Sequence, residues 1–332
     1  MHALFHNALH IALSYKTKQF FFVLIKLSIV VGAFYFIYNK LANNSALHFS
    51  EFIATLKENN VFSLKNIAFL LLLSTFNWFL EILKWQKLTS FIKNITFYHA
   101  LKQSLSSLTA SLLTPNRIGE YGAKAIYFSK QYRKRILLLN LIGNVMQMAV
   151  TVIFGAIGFF LFTRYYPIEI NTHRATKLLV IILTVLGLLL FILRQKKYTI
   201  KGFSVEKLKQ FTKALPLNIS IFTFVISVLR YFVFSFQFYF LLKLFAVELN
   251  YIDAIVIITS MYLLASVIPS IFILDVVVKG SVAVYLFSFA EVNEVIILCI
   301  ITIMWLFNFV LPSLLGSYYV LNFNFEKQNK SL

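Results

Sequence analysis

The 332-residue sequence has few charged residues and few of the residues that build metal or redox sites. Charged residues make up 13% of the chain, and only 12 are acidic against 31 Lys or Arg. The single cysteine, Cys299, excludes an internal disulfide, a redox pair and a cysteine metal cluster. The six histidines lack metal-ligand spacing, and no Gly-x4-Gly-Lys-Ser/Thr loop is present for ATP. We therefore expect no metal, no cofactor and no direct use of ATP as an energy source.

Apolar residues dominate the chain: 60% of its residues are hydrophobic and 17% are aromatic. These values lie outside the range of soluble domains and indicate an all-α polytopic membrane protein. Six apolar runs are long enough to cross a bilayer: residues 19–38, 67–85, 136–165, 177–193, 217–245 and 292–321. We interpret the first run as a retained span rather than a signal peptide, because no small-residue cleavage site follows it.

The formal net charge of +19 is explained better by the orientation of the chain than by nucleic-acid binding. With six crossings, eighteen Lys or Arg residues fall on one side of the membrane and six on the other. The positive-inside rule then predicts that both termini are cytoplasmic, and we expect a bacterial cytoplasmic (inner) membrane. Two short segments, 48–59 and 205–215, have the pattern of amphipathic helices at the membrane surface.

Two further apolar segments, 100–129 and 251–290, are interrupted by proline, and we interpret each as a re-entrant helical hairpin. Pro115 inside a continuous helix would cost about 3 kcal/mol, so the first segment is predicted to form two half-helices. Thr114 suits the N-cap of the second half-helix, and Pro115 suits its first helical position. Free N–H groups at that helix start, beside Arg117, would favour an anion.

The two interrupted segments share a short pattern, a proline followed by an acid four residues before a lysine. The residues are Pro115, Glu120 and Lys124 in the first segment, and Pro269, Asp275 and Lys279 in the second. The spans before the two segments run in opposite directions, which predicts an inverted repeat within a single transmembrane domain, 1–332. The repeats are 63–165 and 217–321, with 177–193 as the connecting span. A chance match of two short motifs is the alternative.

Several ionisable residues fall within apolar segments, where a charge is expensive and needs a partner. They are Glu81, Arg117, Glu120, Lys124, Arg230, Asp275 and Lys279. The excess of cations favours an anionic group such as a phosphate, with Thr114, Arg117, Gly119 and Arg230 as its predicted ligands. Glu120 with Lys124, and Asp275 with Lys279, are predicted charge pairs of the hairpins. Arg230 is predicted to pair with Asp275, Glu120 or Glu81, and a purely structural salt bridge is the alternative.

Polar residues also recur at helical spacing in the apolar runs. Asn77 and Glu81 lie on one face of the second span with Lys84, and Asn140, Asn144 and Gln147 form a similar stripe on the span after the first hairpin. Together with Gln237, these residues are predicted to line a polar cavity. Hydrogen bonds that hold the helices together, each contributing about 0.6 to 2 kcal/mol, are the other interpretation.

The motif LTPNRIGE, residues 113–120, resembles the Pro-x-Arg-x-Gly-Glu signature of the lysylphosphatidylglycerol synthase transmembrane family, also called flippase-like domain proteins. The resemblance extends over most of the chain. Asn77, Glu81, Lys84 and Trp85 lie where that family has a polar, Trp-containing second span, and 269–279 lies where it has a second Pro-rich, acid-containing motif. The second motif lacks the glycines and glutamate usual there, which leaves the role of Asp275 open.

The resemblance implies a flippase-like protein that moves an anionic phospholipid or a polyprenyl-phosphate-linked lipid between leaflets. No soluble aminoacyl-transfer or sugar-transfer domain precedes Leu332, so we expect a stand-alone member that is not an enzyme. Expected partners are membrane lipids and a separately encoded lipid-modifying enzyme or glycosyltransferase, and not nucleic acid.

Two other functions fit the residues. A transferase with a polyprenyl-phosphate donor would need an acid or base near the outer surface, for which Glu51 or Asp253 is available, although neither belongs to a carboxylate pair. An accessory subunit would use its polar residues only to hold its helices together and would bind a partner enzyme.

Overall fold

The computed structural model describes residues 54, 57–58, 63–112, 114, 118–166, 199–200, 203–267 and 275–323. The helices in these ranges are α1 (Leu64–Thr89), α2 (Phe97–Ser111), α3 (Gly119–Ala125), α4 (Lys130–Tyr165), α5 (Val205–Ala214), α6 (Leu217–Leu244), α7 (Tyr251–Val267), α8 (Asp275–Ser288), α9 (Glu294–Trp305) and α10 (Leu311–Leu321). A π-helical turn, Leu306–Val310, joins α9 to α10 without a break. The predicted all-α class holds apart from a two-stranded ribbon of β1 (Thr199–Ile200) and β2 (Phe203–Ser204).

Short polar residues start several of these helices. The Ser63 hydroxyl accepts from the Asn66 N–H at 3.4 Å at the start of α1, and the Thr96 hydroxyl accepts from the His99 N–H at 3.3 Å at the start of α2. The Asn293 side chain accepts from the Val295 N–H at 2.8 Å before α9. Each cap satisfies an N–H group that the helix itself leaves unpaired. These three helices therefore begin where the sequence supplies a capping side chain.

Four helices in the described ranges are long and apolar enough to cross a membrane: α1, α4, α6 and the continuous helix from Glu294 to Leu321. They have 26, 36, 28 and 28 residues, and about 20 residues span the hydrocarbon core. These helices confirm the predicted long apolar helices at 67–85, 136–165, 217–245 and 292–321. The predicted spans 19–38 and 177–193, and most of the predicted surface helix 48–59, lie outside the described residues.

The two interrupted segments each form a pair of shorter helices that pack against each other, α2 with α3 and α7 with α8. Pro115, the predicted first position of the second half-helix, lies outside the described residues, within which α3 begins at Gly119. The Thr114 hydroxyl accepts from the Gly119 N–H at 2.7 Å and donates to the Ser111 carbonyl at 3.0 Å. Thr114 thus bridges the end of α2 and the start of α3, and Ile118 holds the N-cap position.

The helices of the two interrupted segments pack against different neighbours. α1 packs on α6, α4 on α7, α2 on α10 and α8 on α9. Gly155 and Gly158 of α4 allow the close approach to α7, since a Cβ atom at Gly158 would lie 3.2 Å from the Val256 carbonyl oxygen and would overlap Thr259. The core between α6, α7, α8 and α9 contains Phe238, Ile257, Leu286 and Ile300, all fully buried. These helix contacts determine the directions in which the faces with the polar residues point.

The short helix α5 confirms the predicted helix at 205–215. Its polar and basic side chains, including Lys209 and Lys213, are exposed. Leu215, just beyond its end, is buried, and the Phe211 ring meets the Phe91 ring edge-on at 5.4 Å. α5 therefore covers one end of α1 with its apolar face while its charged face points away from the protein.

Candidate functional site

Glu81 of α1 is the centre of a charged cluster inside the helix bundle. Its Oε2 accepts from the Arg230 Nη1 of α6 and lies 2.7 Å from the Lys84 Nζ, one turn along α1. Its Oε1 lies 3.8 Å from the Lys124 Nζ of α3. One carboxylate therefore forms ion pairs with three cations from three helices. We call Glu81, Lys84, Lys124, Arg230 and Glu120 the Glu81 cluster.

Lys124 is the most enclosed member of the Glu81 cluster, with 2% of its side chain exposed. Its ammonium donates to the Glu120 carboxylate at 2.7 Å and to the Asn140 side-chain oxygen at 2.8 Å. It also lies 4.4 Å from the centroid of the Trp85 ring, which attracts it through the negative face of the indole. The spacing of four residues that predicted the Glu120–Lys124 pair thus produces an ion pair on α3, held against α1 and α4.

Arg230 brings three helices together near the middle of α6. Besides Glu81, its guanidinium donates from Nε to the Asn77 side-chain oxygen at 3.1 Å and from Nη1 to the Gln147 side-chain oxygen at 3.2 Å. Gln147 in turn donates to the Ser227 carbonyl at 3.2 Å. Of the three carboxylates predicted as its partner, Arg230 contacts Glu81, and the Asp275 side chain lies outside the described residues.

The charges of the Glu81 cluster do not cancel. Lys84, Lys124 and Arg230 supply three positive charges, while Glu81 and Glu120 supply two negative charges. Removing charges from water costs several kcal/mol per ion, and attraction offsets this cost only where each charge has a partner. A buried cluster with one excess cation is therefore electrostatically suited to an additional anion.

Asn308, in the π-helical turn, is a polar residue that the sequence reasoning missed. Pro312 has no N–H to donate to the Asn308 carbonyl, four residues before it, and its ring crowds that carbonyl. The carbonyl instead accepts from the Trp78 indole N–H of α1 at 3.0 Å. The sequence signal that could have identified Asn308 is a single asparagine four residues before a proline within an apolar run.

The Asn308 side chain joins the last span to α1 and α6. Its amide nitrogen donates to the Gln237 side-chain oxygen at 2.9 Å, and its oxygen accepts from the Asn77 amide at 3.4 Å. Gln237 also donates to the Ser74 hydroxyl at 2.9 Å. Asn77, Gln237 and Asn308 are all buried, and Asn308 links the other two. This network extends from Arg230 through Asn77 to the last span.

We expect Asn308→Ala to lower the free energy of unfolding by about 1–3 kcal/mol, because Gln237 and Asn77 would each lose a buried partner. The Trp78 bond to the backbone would be retained. Thermal unfolding of the purified protein measures the change. Asn322→Ala is the matched control: the Asn322 amide donates to the Tyr318 carbonyl at an exposed position, and its loss should cost under about 0.5 kcal/mol. Equal melting temperatures for the two variants would contradict the role given to Asn308.

The other predicted cavity residues lie between α3 and α4. Asn140 is buried beside Lys124, and its amide nitrogen has no hydrogen-bond partner in the part of the chain that the structure describes. The half-buried Asn144 donates to the Tyr121 hydroxyl at 3.1 Å. The structure thus places Asn77, Glu81, Asn140, Asn144, Gln147 and Gln237 in contact with partners on neighbouring helices, which is the arrangement that interhelical hydrogen bonding predicts.

The helix start that was predicted to offer free N–H groups to a phosphate makes a hydrogen bond within the protein. The first N–H of α3 is occupied by Thr114, and α3 has only seven residues. Gly119 is required for packing, because a Cβ atom there would lie 2.7 Å from the Ala110 carbonyl oxygen. Arg117 and the Asp275 side chain lie outside the described residues. Lys279 lies 5.9 Å from the centroid of the Phe309 ring, beside the π-helical turn.

Two observations bear on catalysis and metal binding. Asp253 accepts from the Asn250 amide at 2.5 Å and donates its N–H to the Asn250 side-chain oxygen at 2.8 Å, so it stabilises the start of α7. Glu51 lies outside the described residues. Within the described ranges, no group of three His, Cys, Asp or Glu side chains is placed to hold a metal ion.

The membrane-spanning helices and the enclosed ionic network define an integral membrane protein whose polar residues connect its helices. The family model for the lysylphosphatidylglycerol synthase TM region matches residues 23–316. The chain belongs to this family, as its LTPNRIGE motif indicated. No curated protein and no solved structure matches the chain.

Proposed function

We propose that this protein is flippase-like and moves an anionic lipid, either a phospholipid or a polyprenyl-phosphate-linked lipid, between the leaflets of a membrane. Membership of the lysylphosphatidylglycerol synthase TM family supports a role in lipid handling. The excess positive charge of the Glu81 cluster supports an anionic head group. The acyl or polyprenyl tails would stay in the hydrocarbon while the head group passes through the bundle.

The sharing of Glu81 among three cations is the observation that carries this proposal. A phosphate that binds Arg230 has to displace Glu81 from the guanidinium. Glu81 would then keep Lys84, at 2.7 Å, and Lys124 as partners, so no buried charge is left alone during the exchange. Arginine is suited to this step, because its planar donors can bind a phosphate at two points.

The interrupted pairs α2–α3 and α7–α8 would supply the movement. We propose that they are re-entrant hairpins of an inverted repeat, entering the bilayer from opposite sides, as in transporters with midplane sites. Charge asymmetry supports a cytoplasmic position for both termini, and we propose a bacterial cytoplasmic (inner) membrane. In this proposal the protein has no catalytic role of its own, and a separately encoded lipid-modifying enzyme or glycosyltransferase supplies or consumes the lipid.

We expect Arg230→Gln to reduce lipid movement at least about tenfold, which corresponds to losing one charge-assisted contact. The purified chain is reconstituted into vesicles with an acyl-labelled anionic lipid, and a membrane-impermeant quencher reports the label that reaches the outer leaflet. Lys243→Gln is the matched control, because Lys243 is an exposed cation on the same helix. Wild-type protein that leaves the label on its original leaflet, or an Arg230→Gln rate equal to wild type, would contradict the proposal.

An accessory subunit is the second candidate, and the hydrogen bonds among three buried amides favour it. Asn308 bonds to both Asn77 and Gln237, and Gln237 also bonds to Ser74 of α1, which suits residues that only hold helices together. Copurification with a lipid-modifying enzyme or glycosyltransferase, with normal function of that enzyme beside Arg230→Gln, would favour this candidate over translocation.

A further inference from the structure

The Glu81 carboxylate occupies the arginine donors that an incoming anion would use. Its Oε2 accepts from the Arg230 Nη1, while the guanidinium also donates to the side-chain oxygens of Asn77 and Gln147, at 3.1 and 3.2 Å. Carboxylates and phosphates bind the same planar fork of arginine donors. Glu81 and an oxyanion from outside the chain therefore compete for one place beside Arg230.

Arg230 is the most accessible cation of the Glu81 cluster. Its side chain is 18% exposed and that of Glu81 is 12% exposed, whereas Lys84 and Lys124 are 3% and 2% exposed. Arg230 is also the fourteenth of the 28 residues of α6, midway along the span. An accessible charge at that depth needs a polar partner, because a cation in hydrocarbon is expensive. An anion can therefore meet the cluster at Arg230, where Glu81 is already bound.

Glu81 has a second partner within a short movement. Its Oε1 lies 3.8 Å from the Lys124 Nζ, an ion-pair distance about 1 Å longer than a charge-assisted hydrogen bond. A small rotation of the carboxylate closes this gap. Lys84 lies 2.7 Å from Glu81 on the same helix and can stay beside it. Glu81 can therefore leave Arg230 without becoming an unpaired buried charge.

The covalent connection makes Glu81 a strong competitor. A tethered group acts at an effective concentration that reaches the millimolar range or above, whatever the concentration of the free ligand. The apparent Kd of a ligand rises as the competent form of its site becomes less populated. The Glu81 carboxylate therefore weakens anion binding at Arg230, and withdrawing it should strengthen that binding.

We propose that Glu81 is an internal competitor of the anionic ligand, which closes Arg230 in the empty protein and turns to Lys124 when an oxyanion takes its place. This inference rests on the proposed function and deepens it by naming how the anion site is regulated. Because Lys124 belongs to α3, the exchange also connects occupancy of Arg230 on α6 to the first interrupted pair. The competition keeps the resting affinity low, so that a bound oxyanion can leave again.

The test measures how tightly the full purified chain in detergent binds two probes, inorganic phosphate and phosphatidylglycerol. We expect Glu81→Gln to bind at least about tenfold more tightly than the wild type, the gain from removing one competing charge-assisted contact. A gain for both probes supports competition for any phosphate group. A gain for phosphatidylglycerol alone also supports competition and identifies a lipid head group as the ligand.

Glu81→Asp separates competition at Arg230 from the net charge of the cluster. It keeps the negative charge, but its shorter side chain reaches Arg230 less well, so we expect an affinity gain of about 3- to 10-fold. Net charge alone predicts no gain. This variant also retains a carboxylate for the lysines, so it keeps the test valid if Glu81→Gln fails to fold, which the melting temperatures report.

Glu206→Gln is the matched control, because it removes one negative charge at an exposed position of α5, and it should bind both probes as the wild type does. A Glu81→Asp variant that binds both probes no more tightly than the wild type would overturn the internal competition. The proposed function would stand in that case, since lipid movement by the wild type tests it separately. Binding of neither probe by any of these proteins would overturn both.

Discussion

Glu81→Gln is expected to lower the free energy of unfolding by about 3–5 kcal/mol, the typical cost of leaving buried charges without their partner. In the described part of the chain Arg230 would be left with neutral acceptors, among them the side-chain oxygens of Asn77 and Gln147 at 3.1 and 3.2 Å. Lys84 would lose its partner at 2.7 Å. Thermal or denaturant unfolding of the purified chain in detergent measures this loss, and it should exceed the loss caused by Asn308→Ala.

A second substitution isolates the interaction. Glu81→Gln combined with Arg230→Gln should be more stable than the sum of the two single losses predicts, because the double variant leaves no uncompensated guanidinium. Glu206→Gln is the control, since Glu206 is exposed on α5 and its change should stay within about 0.5 kcal/mol. Additive effects of the two substitutions would show that Glu81 and Arg230 contribute independently, against the shared-carboxylate arrangement.

Gly316→Ala is expected to destabilise the protein by about 1–3 kcal/mol, and to do so through the backbone of α2. A Cβ atom at Gly316 of α10 would lie 2.7 Å from the Leu105 carbonyl carbon and would overlap the carbonyl oxygen. Backbone atoms cannot rotate away, so the two helices must separate. Separation would also break the bond from the Thr109 hydroxyl to the Ser313 carbonyl, which is 2.8 Å long.

Gly122→Ala is the matched control, because the same added methyl group meets nothing within 4 Å on α3. Alanine is favoured over glycine within a helix by up to about 1 kcal/mol, so this variant should be as stable as the wild type or slightly more so. A Gly316→Ala melting temperature that matches that of Gly122→Ala would mean that α2 and α10 do not need to approach this closely.

The long spans could be predicted from the sequence because crossing a membrane depends on length and apolarity, which are properties of a single run. The partner of Arg230 could be narrowed to three carboxylates, since an arginine in an apolar span needs an acid. The choice among them could not be made, because it depends on which helix packs against α6. In the structure that helix is α1, and Glu81 lies opposite Arg230.

The features that escaped sequence reasoning arise from details of backbone geometry. The start of α3 at Gly119 depends on Thr114 reaching across the turn, whereas Pro115 is equally suited to a first helical position. The role of Asn308 depends on a carbonyl freed by Pro312, four residues later.

The π-helical turn at Leu306–Val310 bears on the movement that we propose for the two interrupted pairs. An inserted residue rotates the rest of a helix by about 100° relative to what precedes it, so α9 and α10 present different sides of one continuous helix. α9 contacts α8 of the second pair, and α10 contacts α2 of the first pair. A tilt of α9 or α10 therefore also moves the other of these two helices, and with it the interrupted pair that it contacts. We expect both halves of the protein to rearrange together rather than one after the other.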